Sequence, residues 1–192
     1  MPTERRFFPL DQIEVRSAGA KGVEGYAALF DTPARIGSQY EEVIRRGAFT
    51  RSLAAGGDII ATRDHDAAQV LARTSGGSLA LSQDSAGLHF RIADLPGTTY
   101  ANDLKALLAA GGLLGGASFT FSVDPKAGDI DVWNKEGRMR ELRSVSLLEV
   151  SLITSFAAYP ETAATIHARQ ASQMPLDNCR AARLRRLSLV TL

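Results

Sequence analysis

Between residues 58 and 95 four short apolar runs follow one another at turn spacing, and this succession limits the fold more than any other feature of the chain. The runs span residues 59–62, 69–73, 78–82 and 88–92, each too short for a packed helix. Two of the separators, Ser75-Gly76-Gly77 and Gln83-Asp84-Ser85-Ala86-Gly87, carry hairpin chemistry, since Gly reaches positive φ without strain and Asp can accept from its own following backbone. Upstream, residues 12–16 and 23–30 flank a turn-rich connection from Ser17 to Gly22 and read as a further hairpin. Downstream come a strand over 117–123, a short one over 130–133, and an apolar run over 139–154 that makes either two strands or one bent strand.

Helical signals are few. Residues 98–110 form the best one, with Thr98 or Thr99 as cap, Leu104, Leu107 and Leu108 as an apolar stripe, and Gly111 as the stop. Residues 41–55 place Val43, Ile44, Phe49 and Leu53 near helical spacing, interrupted by Gly47. A short helix is expected over 161–168, beyond Pro160. So many strands with so few helices predict a mainly β, α+β fold with flanking helices, an antiparallel barrel or sandwich rather than a doubly wound parallel sheet.

The 192 residues suit one domain with an appendage. Residues 1–168 hold 17 Lys/Arg against 20 Asp/Glu, whereas 169–192 hold 5 against 1. The expected organisation is therefore an acidic domain over 1–168 and a basic tail over 169–192. That tail is either an amphipathic interaction helix or a disordered basic end, with Arg180, Arg183, Arg185 and Arg186 set among Leu184, Leu187, Leu189 and Val190. A body of net negative charge argues against nucleic acid as the ligand. The longest uncharged stretch, 106–123, is broken by four glycines, so no membrane span is expected. The first ten residues lack the apolar stretch of a secretory signal, which predicts cytoplasmic synthesis. One cysteine, Cys179, excludes an internal disulfide and a cysteine metal cluster.

Three residues stand out chemically. His65, in Thr62-Arg63-Asp64-His65-Asp66, ends an apparent strand where an imidazole can face a cleft as a base. The other histidines do not: His89 alternates with Phe90 inside a strand, and His167 is near the tail. A metal at Asp64-His65-Asp66 is disfavoured, because extended backbone would turn the two carboxylates to one face and the imidazole to the other. A bland alternative has the aspartates capping turns and His65 merely solvated.

Glu149 interrupts a run apolar enough to be a core strand, and a buried carboxylate needs a partner. A histidine would suit it; an edge position in solvent, or an arginine partner, is the alternative. Ser118 follows Gly115-Gly116-Ala117, where small residues allow close backbone approach and leave N–H groups to face an oxyanion, and a serine there is expected to be accessible. It equally fits an ordinary strand starting after a glycine turn. Neither a nucleophile elbow nor a phosphate loop is present, and no metal or cofactor is expected.

Read in order, the segments Gly25-Tyr26-Ala27-Ala28-Leu29-Phe30, Gly47-Ala48-Phe49, Asp64-His65-Asp66 with Val70-Leu71-Ala72-Arg73-Thr74, Gly87-Leu88, Ala117-Ser118-Phe119-Thr120-Phe121, Asp131 with Trp133, and Leu148-Glu149-Val150-Ser151 through Tyr159-Pro160 resemble the tailed-phage prohead proteases. The resemblance spans about residues 12–169. It implies a serine endopeptidase of capsid maturation, similar in fold to the β-barrel proteases of herpesvirus assembly. It assigns Ser118 as nucleophile, His65 as general base and Glu149 as the third member. It names as substrates the scaffolding segment of the major capsid protein or a separate scaffold, and the protease itself, inside the assembling prohead in the host cytoplasm, with homo-oligomerisation an option. Thr120 stands where the family's serine motif has a second glycine, Arg46 where a proline is usual and Ala72 where a glycine is usual. A non-catalytic assembly module of the same fold is the alternative, and the charge shift makes the tail a candidate removable or packaging segment.

Overall fold

The computed structural model describes residues 3–111, 114–154 and 164–166. In chain order its elements are β1 (Glu4–Pro9), β2 (Val15–Ala18), β3 (Gly22–Leu29), β4 (Ala34–Ile36), β5 (Tyr40–Ile44) and helix α1 (Thr50–Ala54). There follow β6 (Ile60–Arg63), β7 (Asp66–Arg73), β8 (Leu79–Gln83), β9 (Gly87–Ile92) and helix α2 (Thr99–Ala110). The last group is β10 (Gly116–Ser122), β11 (Ile130–Trp133), β12 (Met139–Ser144), β13 (Ser146–Ile153) and β14 (Ala164–Ile166). The expected predominance of strands holds, and the apolar run over 139–154 is two strands, turned at Val145.

The strands form three sheets, ordered β1-β10-β13-β6-β7, β11-β12-β5-β4-β14 and β2-β3-β9-β8. The third is wholly antiparallel, but β13 pairs with β6 in parallel and β12 with β5 in parallel. The architecture among the described residues is therefore three open sheets, two of them mixed, and the expected closed antiparallel barrel is not seen. Adjacent short runs do pair as hairpins, at β6–β7 and β8–β9; the two parallel contacts join strands far apart in sequence, which local spacing does not register.

Two helical expectations change. Residues 41–55 divide into β5 and α1, because Val43 and Ile44 are buried in a sheet and Gly47, at φ +86°, turns the chain before the helix. Residues 164–166, inside the expected helix over 161–168, form a strand that pairs with β4. The rest of that segment, His167 and the tail lie outside the described residues. Helix α2 matches expectation: Ala101 and Leu104 are buried and Gly111, at φ +69°, ends it, although the Thr98 hydroxyl makes no capping bond.

Strand β10 organises the core. Ala117, Phe119 and Phe121 point to one face, where the Phe119 ring meets Phe49 edge-on at 5.4 Å, Phe121 at 5.3 Å and Phe8 at 6.4 Å. Burying each such ring stabilises the fold by roughly 1.5–3 kcal/mol. The alternate residues Ser118 and Thr120 point to the opposite face, also buried, so period two places an apolar core and a polar pocket on either side of one strand. A second buried polar cluster ties the sheets together: Arg6 of β1 and Arg140 of β12 both donate to Glu42 of β5, which is 2% exposed.

Candidate active site

The polar face is built by three neighbouring strands. Registers Ser118↔Ser151 and Thr120↔Glu149 join β10 to β13, and Ser151↔Thr62 joins β13 to β6. Hydroxyls and one carboxylate are thereby set side by side without a loop to position them. Ser118 is 2% exposed, Ser151 and Thr62 are fully buried, and Glu149 is 8% exposed. The serine expected from the sequence to be accessible is thus buried, with the His65 ring against its oxygen on that face.

His65 reaches this face from the turn between β6 and β7. Asp64 and His65 both adopt left-handed backbone, at φ +54° and +58°, the pattern of a two-residue hairpin turn whose twist matches the flanking strands. The extended backbone expected at Asp64-His65-Asp66 is therefore replaced by a turn, and both aspartates serve it. The Asp64 N–H donates to Leu152 O at 2.9 Å, and its carboxylate accepts from the Thr154 N–H at 2.7 Å and hydroxyl at 2.6 Å. Asp66 accepts from the Ala68 N–H at 2.8 Å and from Gln69 at 2.8 Å. Ser151 completes the anchorage, its Oγ accepting from the His65 N–H at 2.8 Å.

The imidazole bridges the two other residues singled out in the sequence. Nδ1 lies 2.8 Å from Glu149 Oε2, and Nε2 lies 2.8 Å from Ser118 Oγ. Glu149 also accepts from the Thr62 hydroxyl at 2.6 Å on Oε1 and from the Thr120 hydroxyl at 2.7 Å on Oε2. Burial pushes its carboxyl up, but the bonds from His65, Thr62 and Thr120 outweigh that and pull it down to about 2. An ionised carboxylate only accepts, so Nδ1 is the donor, and the neutral imidazole leaves Nε2 as an acceptor for the serine proton. A hydroxyl, an imidazole and a carboxylate linked in this order can chemically make the hydroxyl oxygen a nucleophile.

Other expectations resolve elsewhere. The Gly115 N–H donates to Ile153 O at 2.8 Å and so does not face an oxyanion. Gly116 instead permits close approach of β1, where an added Cβ would meet Phe8 O and Pro9 Cα. His89 lies in another sheet, edge-on to Tyr26 at 5.3 Å. Among the described residues no group of three or more His, Cys, Asp or Glu is arranged to hold a metal ion.

Thr62 and Ser151 were not expected at the site, and Thr120 was expected only as a departure within the serine motif, not as a partner of Glu149. Their signal is alternation: Ser118 and Thr120 are spaced by two on β10, as are Glu149 and Ser151 on β13, and each polar position is separated from the next by an apolar one.

Residues 10–177 match the family described as caudovirus prohead serine protease. No curated protein and no solved structure matches the chain.

Proposed function

The chain belongs to the caudovirus prohead serine proteases, and we propose that it is the serine endopeptidase of capsid maturation, with Ser118 as nucleophile, His65 as general base and Glu149 as the group that orients the imidazole. Its proposed substrates are the scaffolding segment of the major capsid protein, or a separate scaffold protein, and its own chain, cleaved inside the assembling prohead. The observation that carries this reading is the double contact of one imidazole, 2.8 Å to the serine oxygen and 2.8 Å to a carboxylate oxygen.

In this mechanism Nε2 of His65 takes the Ser118 proton as Oγ bonds to the scissile carbonyl carbon. Glu149 stabilises the imidazolium that results. The imidazolium gives its proton to the leaving amine as the C–N bond breaks, and water, deprotonated by the same nitrogen, releases the acyl group from Oγ. Such proton transfer typically contributes on the order of a hundred- to ten-thousandfold. No described helix is long and apolar enough to cross a membrane.

A non-catalytic assembly module is the second reading, and Thr120 was its basis. That side chain donates to Glu149 rather than displacing it, which supports the catalytic reading. The test is co-expression with the cognate capsid protein, comparing the unmodified chain with Ser118→Ala. Cleavage is expected to fall by several orders of magnitude. Undiminished cleavage by the alanine variant would refute the assignment.

A further inference from the structure

We infer that Thr120 is a positioning residue of this site: its hydroxyl fixes the Glu149 oxygen that faces the His65 imidazole. The inference rests on the peptidase reading and deepens it. Glu149 sits on β13, whose two neighbours in the sheet are β6 and β10. Each neighbour supplies one hydroxyl, Thr62 to Oε1 at 2.6 Å and Thr120 to Oε2 at 2.7 Å, so the carboxylate is held from both sides.

The two hydroxyls do different work. Thr62 holds the oxygen remote from the imidazole, whereas Thr120 shares Oε2 with His65 Nδ1. A terminal carboxylate torsion is broad, and one hydroxyl on the remote oxygen leaves the near oxygen free to swing out of line with Nδ1–H. Thr120 removes that freedom. Thr120 is 6% exposed and its side chain is stiff at χ1, and its backbone pairs with Glu149 just before a register shift at Phe121, which limits how far the donor can move. Among the described residues the remaining hydrogen-bonding partner of the carboxylate is the imidazole of His65, which arrives from the β6–β7 turn. Thr120 touches Glu149 and not the serine oxygen; it acts through the carboxylate.

Two substitutions separate position from mere packing. Thr120→Val keeps the shape and removes the hydroxyl; Thr120→Ser keeps the hydroxyl. The rate of covalent labelling of Ser118 by a serine-directed phosphonate should fall by about ten- to a hundredfold in the valine variant and stay near that of the unmodified protein in the serine variant. Nuclear magnetic resonance of the Glu149 side-chain carbon should show its protonation midpoint move upward in the valine variant and return in the serine variant. Equal labelling and an unmoved midpoint in a folded valine variant overturn the inference, as does equal loss in both variants. Should the valine variant not fold, the unmodified protein decides: a slowly exchanging Thr120 hydroxyl proton close to Glu149 supports the assignment, and fast exchange with solvent refutes it. Absence of labelling in the unmodified protein would count against the peptidase reading alone, because the carboxyl titration reads Thr120 without catalysis.

Discussion

Nδ1 of His65 and Oε2 of Glu149 lie 2.8 Å apart although 84 residues separate them in the chain, one on a turn and the other inside a central strand. In the proposed mechanism the pair sets the tautomer of the imidazole and supplies the counter-charge for its protonated form. Replacing Glu149 by Gln preserves the shape and removes that charge. Peptide cleavage should fall by about a thousandfold or more with KM little changed, because the charge matters most when the imidazole is protonated. Steady-state kinetics on a peptide spanning a cleavage site measures this, and unchanged turnover would remove Glu149 from the mechanism.

The same carboxylate makes stability depend on pH. Its folded-state value, about 2, lies below the ordinary 4.5, so the folded state favours the ionised form. The stabilisation is complete above about 4.5 and is lost as pH falls toward 2. Its size is on the order of 3 kcal/mol. Urea midpoints at pH 6 and pH 3 should therefore differ more for the unmodified protein than for Glu149→Gln; equal differences would show that the carboxylate is not held as described.

Glu42 joins two buried guanidiniums, accepting from Arg6 Nε at 2.5 Å and from Arg140 Nη1 at 3.2 Å. Without it Arg6 keeps Glu4, and Arg140 keeps Glu4 and Asp131, so both guanidiniums lose their most buried acceptor but retain a counter-charge. Glu42→Ala should destabilise the fold by about 1–3 kcal/mol. Equilibrium denaturation reads this directly, and a loss below 1 kcal/mol would mean that water replaces the carboxylate without penalty.

Gly116 lies where β1 crosses close to β10, and a methyl group there would meet Pro9 Cα at 2.9 Å and the Phe7 ring at 2.9 Å. Gly116→Ala should cost about 1–3 kcal/mol as β1 is pushed away. Hydrogen exchange should show the loss concentrated in β1, and uniform protection along β10 and β1 would contradict the close approach.

The three residues singled out in the sequence are the ones the structure brings together as a candidate site, whereas the sheet order was much less legible. His65, Ser118 and Glu149 were legible because each conflicts with its surroundings: an imidazole between two aspartates, a hydroxyl after glycines, a carboxylate in an apolar run. Thr62 and Ser151 escaped notice because threonine and serine are ordinary strand residues, and Thr120 was read only as a departure from the family's serine motif; registers between β10, β13 and β6 bring the three together. Parallel pairing of β13 with β6 is a long-range relation that hairpin spacing does not carry. The helix read over 41–55 failed where burial of Val43 and Ile44 in a sheet overrode a spacing that suits either structure.

Because β6 pairs on one side with β7, made next, and on the other with β13, made much later, the order of synthesis has a bearing on when the site exists. The ribosome delivers the imidazole first, the hydroxyl 53 residues later and the carboxylate last. A nascent chain halted within β12 holds two of the three side chains and lacks the central strand that aligns them. Long-range pairing of this kind forms slowly and late. Whatever chemistry these side chains perform thus begins only when nearly every described strand has been assembled, a delay written into the topology itself.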